Sequence, residues 1–184
     1  MNESTRAPSQ FLVNLIKFGN KVQLFQTFLG VAFVLCFFSF VIIDVASRTM
    51  MRPVIWAQEI AILGFIWAIM IGSGIMMRKG KHFKIDIVVT LLSERGKNIL
   101  NIIKLFIIMA FAIFLIWSGM QFAMFGIARV SIPSGIQLIF WTVSFPVSGV
   151  FFLYYVLEGI ISNVNGWEVS ELIKYSNPNG EEQK

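Results

Sequence analysis

One cysteine and one histidine are all this sequence offers of the residues that most often bind transition metals or attack substrates. Cys36 lies inside an apolar run, matches no ligand spacing and has no second cysteine for a disulfide within the chain, so it reads as a small hydrophobe. A nucleophile needs a nearby base, and a zinc site needs three or four Cys, His or acidic ligands. A haem held between helices needs histidines inside them, whereas His82 falls in a basic loop. Arg78-Lys79-Gly80-Lys81 lacks the spacing of a phosphate-binding loop. The chain is therefore expected to be no enzyme and to hold no cofactor, metal or catalytic residue.

Charge is scarce as well. Only 14% of the 184 residues are Asp, Glu, Lys or Arg, while 57% are hydrophobic. A soluble domain carries about 25% charged residues, and so little polar surface cannot cover a globule in water. The net charge of +5 comes without a basic helix or an aromatic-basic platform, so no nucleic-acid partner is expected. A membrane protein explains it better, because Lys and Arg collect in cytoplasmic loops and face lipid headgroups there.

Long apolar runs are abundant. A helix needs about 20 mostly apolar residues to cross a hydrocarbon core of about 30 Å, and four segments qualify: 24–46, 56–77, 105–127 and 136–161. No period-2 alternation suggests a barrel. The expected class is thus all-α integral membrane, with four transmembrane helices forming one domain over 23–161. The first span is expected to remain in the protein, because its apolar run is longer than the roughly 7–15 residues of a signal peptide.

Basic residues set the expected orientation. Arg6, Lys17 and Lys21 precede the first span. Arg78, Lys79, Lys81, Lys84, Arg95 and Lys97 lie between the second and third, and Lys174 and Lys184 follow the fourth. These eleven face three on the other side, Arg48, Arg52 and Arg129. The bias puts both termini in the cytoplasm. Arg78, Lys79, Lys81 and Lys84 are then expected to meet lipid headgroups, with Gly80 making the turn and His82 pairing with Asp86 one helical turn later.

Two further segments look amphipathic. Within the N-terminal tail, 1–22, Phe11, Leu12, Leu15, Ile16 and Phe18 recur at near-helical spacing. Over about 83–95 an apolar surface is crossed by a polar stripe at Asp86, Thr90, Ser93 and on to Lys97, which fits a helix at the membrane interface. The C-terminal tail, 162–184, is short and polar and is expected to be frayed.

Inside the spans, ionisable groups are functional candidates by default, but those present are shallow. Asp44, Arg48, Arg52 and Glu59 fall near the outer ends of the first two spans and are expected to form one cluster there. Lys104 and Glu158 fall near the inner ends of the last two, within reach of snorkelling or mutual pairing. Pro146 suggests a kink, with Ser144 and Ser148 able to satisfy the carbonyls it frees. Span centres free of charge do not resemble the midplane sites of a transporter that works alone.

Over about 35–161 the chain resembles the small (Q-type) membrane subunit of tripartite ATP-independent periplasmic (TRAP) transporters. The features carrying the resemblance are Arg48, Pro53, Trp56 and Glu59 at the entry to the second span, followed by Trp67 and Gly72 within it. The run Lys79-Gly80-Lys81-His82-Phe83-Lys84-Ile85-Asp86 comes next, then Ser131-Ile132-Pro133 and Pro146-Val147-Ser148-Gly149. The chain departs from the family pattern at Leu92-Ser93, where Leu-Pro is common. The resemblance implies a scaffold in the bacterial inner membrane, stably paired with a large polytopic subunit that holds the substrate and sodium sites. It also implies a periplasmic binding protein that delivers an organic acid of the sialic acid or C4-dicarboxylate class. The competing reading is a small four-helix multidrug or cation exporter acting as a dimer.

Overall fold

A computed structural model describes residues 8–78, 94–165, 167 and 169–176. Among these residues the regular elements are all α-helices, and the loop between the third and fourth spans holds one isolated bridge, between Val130 and Gln137. Four helical stretches are long and apolar enough to cross a membrane, as the sequence predicts.

Helix α1 runs unbroken from Gln10 to Thr49. At 1.5 Å per residue its 40 residues reach about 60 Å, twice a hydrocarbon core. The expected amphipathic segment and the first span are therefore one helix, with no boundary near residue 22. Ser9 caps it by accepting from the Leu12 amide at 3.4 Å, which satisfies one of the four free N–H groups at a helix start.

The far end closes as a Schellman turn. The Arg52 amide donates to the Ser47 carbonyl, and the Met51 amide donates to that of Arg48. This geometry needs a left-handed residue, usually glycine, just past the helix. Here that residue is Met51, with φ +57°. Ser47 joins the turn to the next helix, donating to the Asp44 carbonyl and accepting from the Val54 amide.

Helix α2 covers Ile55–Arg78. It lies against α1 through a face of small residues, Ala57, Ala61 and Gly64. A Cβ at Gly64 would come within 3.1 Å of the Phe33 carbonyl and the Phe37 amide, so the two backbones nearly touch, as small residues permit between membrane helices. Trp67 stacks on Phe33 and donates its indole N–H to the Phe140 carbonyl at 2.8 Å.

Helix α3 spans Glu94–Ile127, which begins well before the expected third span and takes in the last residues of the expected interfacial helix. The rest of that helix, with Lys79, Gly80, Lys81, His82, Lys84 and Asp86, lies outside the described residues. The fourth span is split into α4, Ile139–Thr142, and α5, Ser144–Val164, on either side of Val143. Pro146 thus sits in the first turn of α5, where a missing N–H is tolerated. Ser144 and Ser148 donate to the Trp141 and Phe145 carbonyls.

Helix α6, Val169–Ser176, corrects the expectation of a frayed tail over these residues. Leu172 is 1% exposed, and Asn20 of α1 donates to the Ser176 hydroxyl at 3.2 Å. Three apolar residues in eight are too short a pattern to announce a helix, but docking on the N-terminal part of α1 supplies what the segment lacks alone.

The main packing order is α1, α2, α5, α3, a row rather than a closed bundle. None of the most apolar stretch of α1 is buried within the chain, against 44% for the fourth span. Helix α5 is therefore the centre of the row, and α3 hangs chiefly from α5 and α4. Gly119, Gly126 and Gly149 make that contact close, the last facing Ile116 and the Ala112 carbonyl.

Candidate functional site

The strongest polar constellation lies at the end of the row that carries Gln10 and Arg78. Arg78, the last residue of α2, is 6% exposed overall, and its side chain is 1% exposed. This corrects the expectation that it reaches lipid headgroups. Its Nε and Nη2 donate to the two carboxylate oxygens of Glu158, both at 2.8 Å. Nη1 donates to the Gln23 side chain at 2.7 Å, and Nη2 also donates to the Ile16 carbonyl at 3.3 Å. Four of the five guanidinium N–H bonds are thus used, and the guanidinium carbon lies 5.6 Å from the centre of the Tyr155 ring, within cation–π range.

The surrounding residues complete the enclosure. The Tyr155 hydroxyl donates to the Gln26 side-chain Oε1, and the Ser162 hydroxyl donates to the Glu158 backbone carbonyl. Gly19 leaves the space the pair occupies: a Cβ there would stand 2.5 Å from both Arg78 Nη2 and Glu158 Oε1. Bidentate geometry and saturation are what a buried ion pair needs to offset desolvation. With both carboxylate oxygens and four guanidinium N–H bonds engaged inside the fold, this cluster acts as a lock joining α1, α2 and α5. Its members come from three places in the sequence, and pairing of Glu158 with Arg78 was not anticipated. The available signal was an acidic residue inside an apolar span, which requires a partner at its own depth.

At the opposite end the expected four-residue cluster divides in two. Arg48 pairs with Asp44 at 3.1 Å and donates to Gln58 at 2.9 Å. Glu59 instead accepts from the Ser131 hydroxyl, in the loop between α3 and α4. Arg52 is exposed and has no ion-pair partner among the described residues. Trp56 is half-exposed and meets Phe40 edge-on. Of the remaining motif residues, Trp67, Pro146 and Gly149 are packing elements. Pro53 lies in the turn before α2, and a Cβ at Gly72 would meet nothing within 4 Å.

Met51 is the one non-glycine residue with positive φ among those described, and it is 90% exposed. Its side chain adds nothing to packing within the chain, while its backbone is strained by roughly 1 kcal/mol. Met51→Gly is accordingly expected to raise the thermal midpoint of the detergent-solubilised chain. A lower midpoint would mean that the side chain holds the turn.

No three His, Cys, Asp or Glu side chains converge as a metal site among the described residues. Four apolar helical stretches packed in a row and locked at one end define a polytopic membrane protein. Residues 37–166 match the family described as tripartite ATP-independent periplasmic transporters, DctQ component. That is most of the chain, and the protein belongs to this family of transporter components. An 87-residue stretch, 47% of the chain, is 30% identical to the sialic acid TRAP transporter permease protein SiaT of Haemophilus influenzae (strain 86-028NP). The match covers only 14% of that relative.

Proposed function

We propose that the chain scaffolds a large membrane subunit for sodium-coupled uptake of an organic acid of the sialic acid or C4-dicarboxylate class. A periplasmic binding protein delivers the acid, and the complex sits in the bacterial inner membrane with both termini of this chain in the cytoplasm. The observation that carries this reading is the row architecture. It leaves most of the surface of α1 and α3 uncovered and spends its strongest polar group on an internal lock. Such a chain is suited to hold another protein still, and its Asp44–Arg48 and Arg78–Glu158 ion pairs lie at the two ends of the row rather than at mid-depth. The family membership and the eleven-to-three distribution of basic residues support the role and the orientation.

Affinity purification in mild detergent tests the reading. The chain is expected to retain a much larger polytopic subunit in stable stoichiometry. Recovery of a homodimer that alone moves cations in liposomes would overturn it in favour of the exporter.

Neutralising Glu59 checks the scaffold role separately. Its carboxylate holds Ser131, and a hydrogen bond to a charged group contributes about 1.5–3 kcal/mol. Glu59→Gln is expected to reduce the recovered complex while leaving the transport KM for substrate unchanged. Normal recovery with an altered KM would instead put Glu59 in the transport path.

A further inference from the structure

Phenylalanines recur seven residues apart along the N-terminal part of α1, and all three are uncovered: Phe11 is 65% exposed, Phe18 58% and Phe25 59%. Asn14, Lys17 and Lys21 are also exposed, and helical spacing puts them on the same side as the rings. The opposite side is taken. Leu12, Ile16, Gly19 and Gln26 are buried there. The Ile16 carbonyl accepts from Arg78, and Asn20 donates to Ser176 of α6. The uncovered side is therefore held in one direction, and an edge-on contact with Tyr154 of α5 fixes the Phe18 ring as well.

Depth and charge distinguish this side from an ordinary lipid-facing one. Lysine is costly in the hydrocarbon core, so the stretch that carries Lys17 and Lys21 lies at the membrane surface. Helix α1 has length to spare for this, about 60 Å against a core of about 30 Å. Helix α2 ends at Arg78, whose guanidinium meets α1 at Gln23 and Ile16. Phenylalanine and lysine side by side on a helix at this level form an interfacial face. The charge there is of one sign. No Asp or Glu occurs in α1 before Asp44. Lys17 and Lys21 are one turn apart, a like-charge pair that weakens a helix unless an anion lies against it. Interfaces between proteins are depleted in lysine, which favours lipid over a partner subunit as the occupant.

Resting on the proposed orientation, which puts this end of α1 in the cytoplasm, we infer that Phe11, Phe18 and Phe25, with Lys17 and Lys21, bind anionic phospholipid of the cytoplasmic leaflet. The rings enter the acyl boundary, and the two ammonium groups hold phosphate-bearing headgroups beside them. Arg78 and α6 keep α1 in place, so the lipid meets a face already aimed at it. The contact weakens with salt.

The test places a fluorophore on Asn14→Cys, in a Cys36→Ser background, and reconstitutes the full chain in phosphatidylethanolamine nanodiscs. The quencher is a trace of phosphatidylglycerol or phosphatidylcholine carrying a nitroxide high on the acyl chain. Phosphatidylglycerol is expected to quench several-fold more strongly at low salt, and the preference is expected to fade as salt is added. Lys17→Gln and Lys21→Gln are each expected to reduce that preference by up to about fivefold. Phe11→Ser is expected to lower quenching by both lipids. Both lysines are exposed, so their variants should melt with the parent in detergent. Equal quenching by the two lipids, or a preference that survives loss of both lysines, would overturn the inference. So would a label quenched in the isolated chain but shielded from lipid by a co-purified large subunit, which would make this face a protein contact. Protease cleavage of an N-terminal tag in inverted membrane vesicles, but not in intact spheroplasts, reads the orientation independently. If the tag is cut only in spheroplasts, the orientation and the lipid face fall together; if it is cut only in inverted vesicles and no preference is found, the lipid face alone falls.

Discussion

Glu158→Ala is expected to destabilise the chain by about 3–5 kcal/mol, the range for removing one partner of a buried ion pair. Arg78 would be left with 1% of its side chain exposed and no counter-charge. Since a domain's whole stability is typically about 5–15 kcal/mol, little folded protein should survive extraction. Arg78→Ala should behave alike, stranding the carboxylate. The double replacement Arg78→Met/Glu158→Leu removes both charges and keeps apolar volume, and should be markedly more stable than either single variant. Heating followed by size-exclusion chromatography in detergent reads all three. Single variants that melt with the parent would show that the pair contributes nothing, and a double variant worse than both would show that its charge is needed beyond stability.

Gly149→Leu is the second change expected to be severe. Even a Cβ at that position would lie 2.7 Å from Ile116 Cγ1, 3.1 Å from the Ile116 amide and 3.2 Å from the Ala112 carbonyl. Two of these are backbone atoms, so no rotamer change relieves the clash and the helices must part. Overpacking typically costs about 1–3 kcal/mol, and the upper end or beyond is expected because α3 has little other support. Ala112 is 0% exposed, which gives a local readout. Ala112→Cys, in a Cys36→Ser background, should resist a membrane-permeant maleimide in the parent and react once Gly149→Leu is added. Gly72→Leu is the control: with nothing within 4 Å, it should leave the melting of the isolated chain unchanged. Equal melting of the two leucine variants would contradict the packing described.

The spans were legible because lipid imposes a length and a composition that soluble folds do not. Hydropathy placed four helices correctly, but their ends shifted wherever packing in or beyond the membrane extended them. Nothing in Gln10–Gln23 marks it as the start of a 40-residue helix, since its apolar residues fit an interfacial helix equally well. Arg78 opens the run Arg78-Lys79-Gly80-Lys81 and reads as one more headgroup contact. Only its fixed position at the end of α2 turns it inward to a glutamate eighty residues away. Long-range pairing of this sort leaves no local pattern. The cluster expected of Asp44, Arg48, Arg52 and Glu59 failed for a related reason: its four members are near in sequence, but Ser131 competes for Glu59 from a distant loop. Gly64, Gly119 and Gly149 were visible as residues, yet which helix each admits depends on the order of the row.

The position of the lock also bears on how the protein is made. Its parts are spread along the chain, with Ile16 and Gly19 near the start, Glu158 far along, and Ser176 of α6 held by Asn20. As the ribosome feeds the membrane insertion machinery, α1 and α2 can pair early through Ala57, Ala61 and Gly64. Arg78 must then wait, unneutralised, until α5 emerges, and the docking of α6 on α1 comes later still. A product that stops before α5 therefore carries an unneutralised arginine at the end of an apolar helix. The lock therefore closes only once α5 has joined α1 and α2.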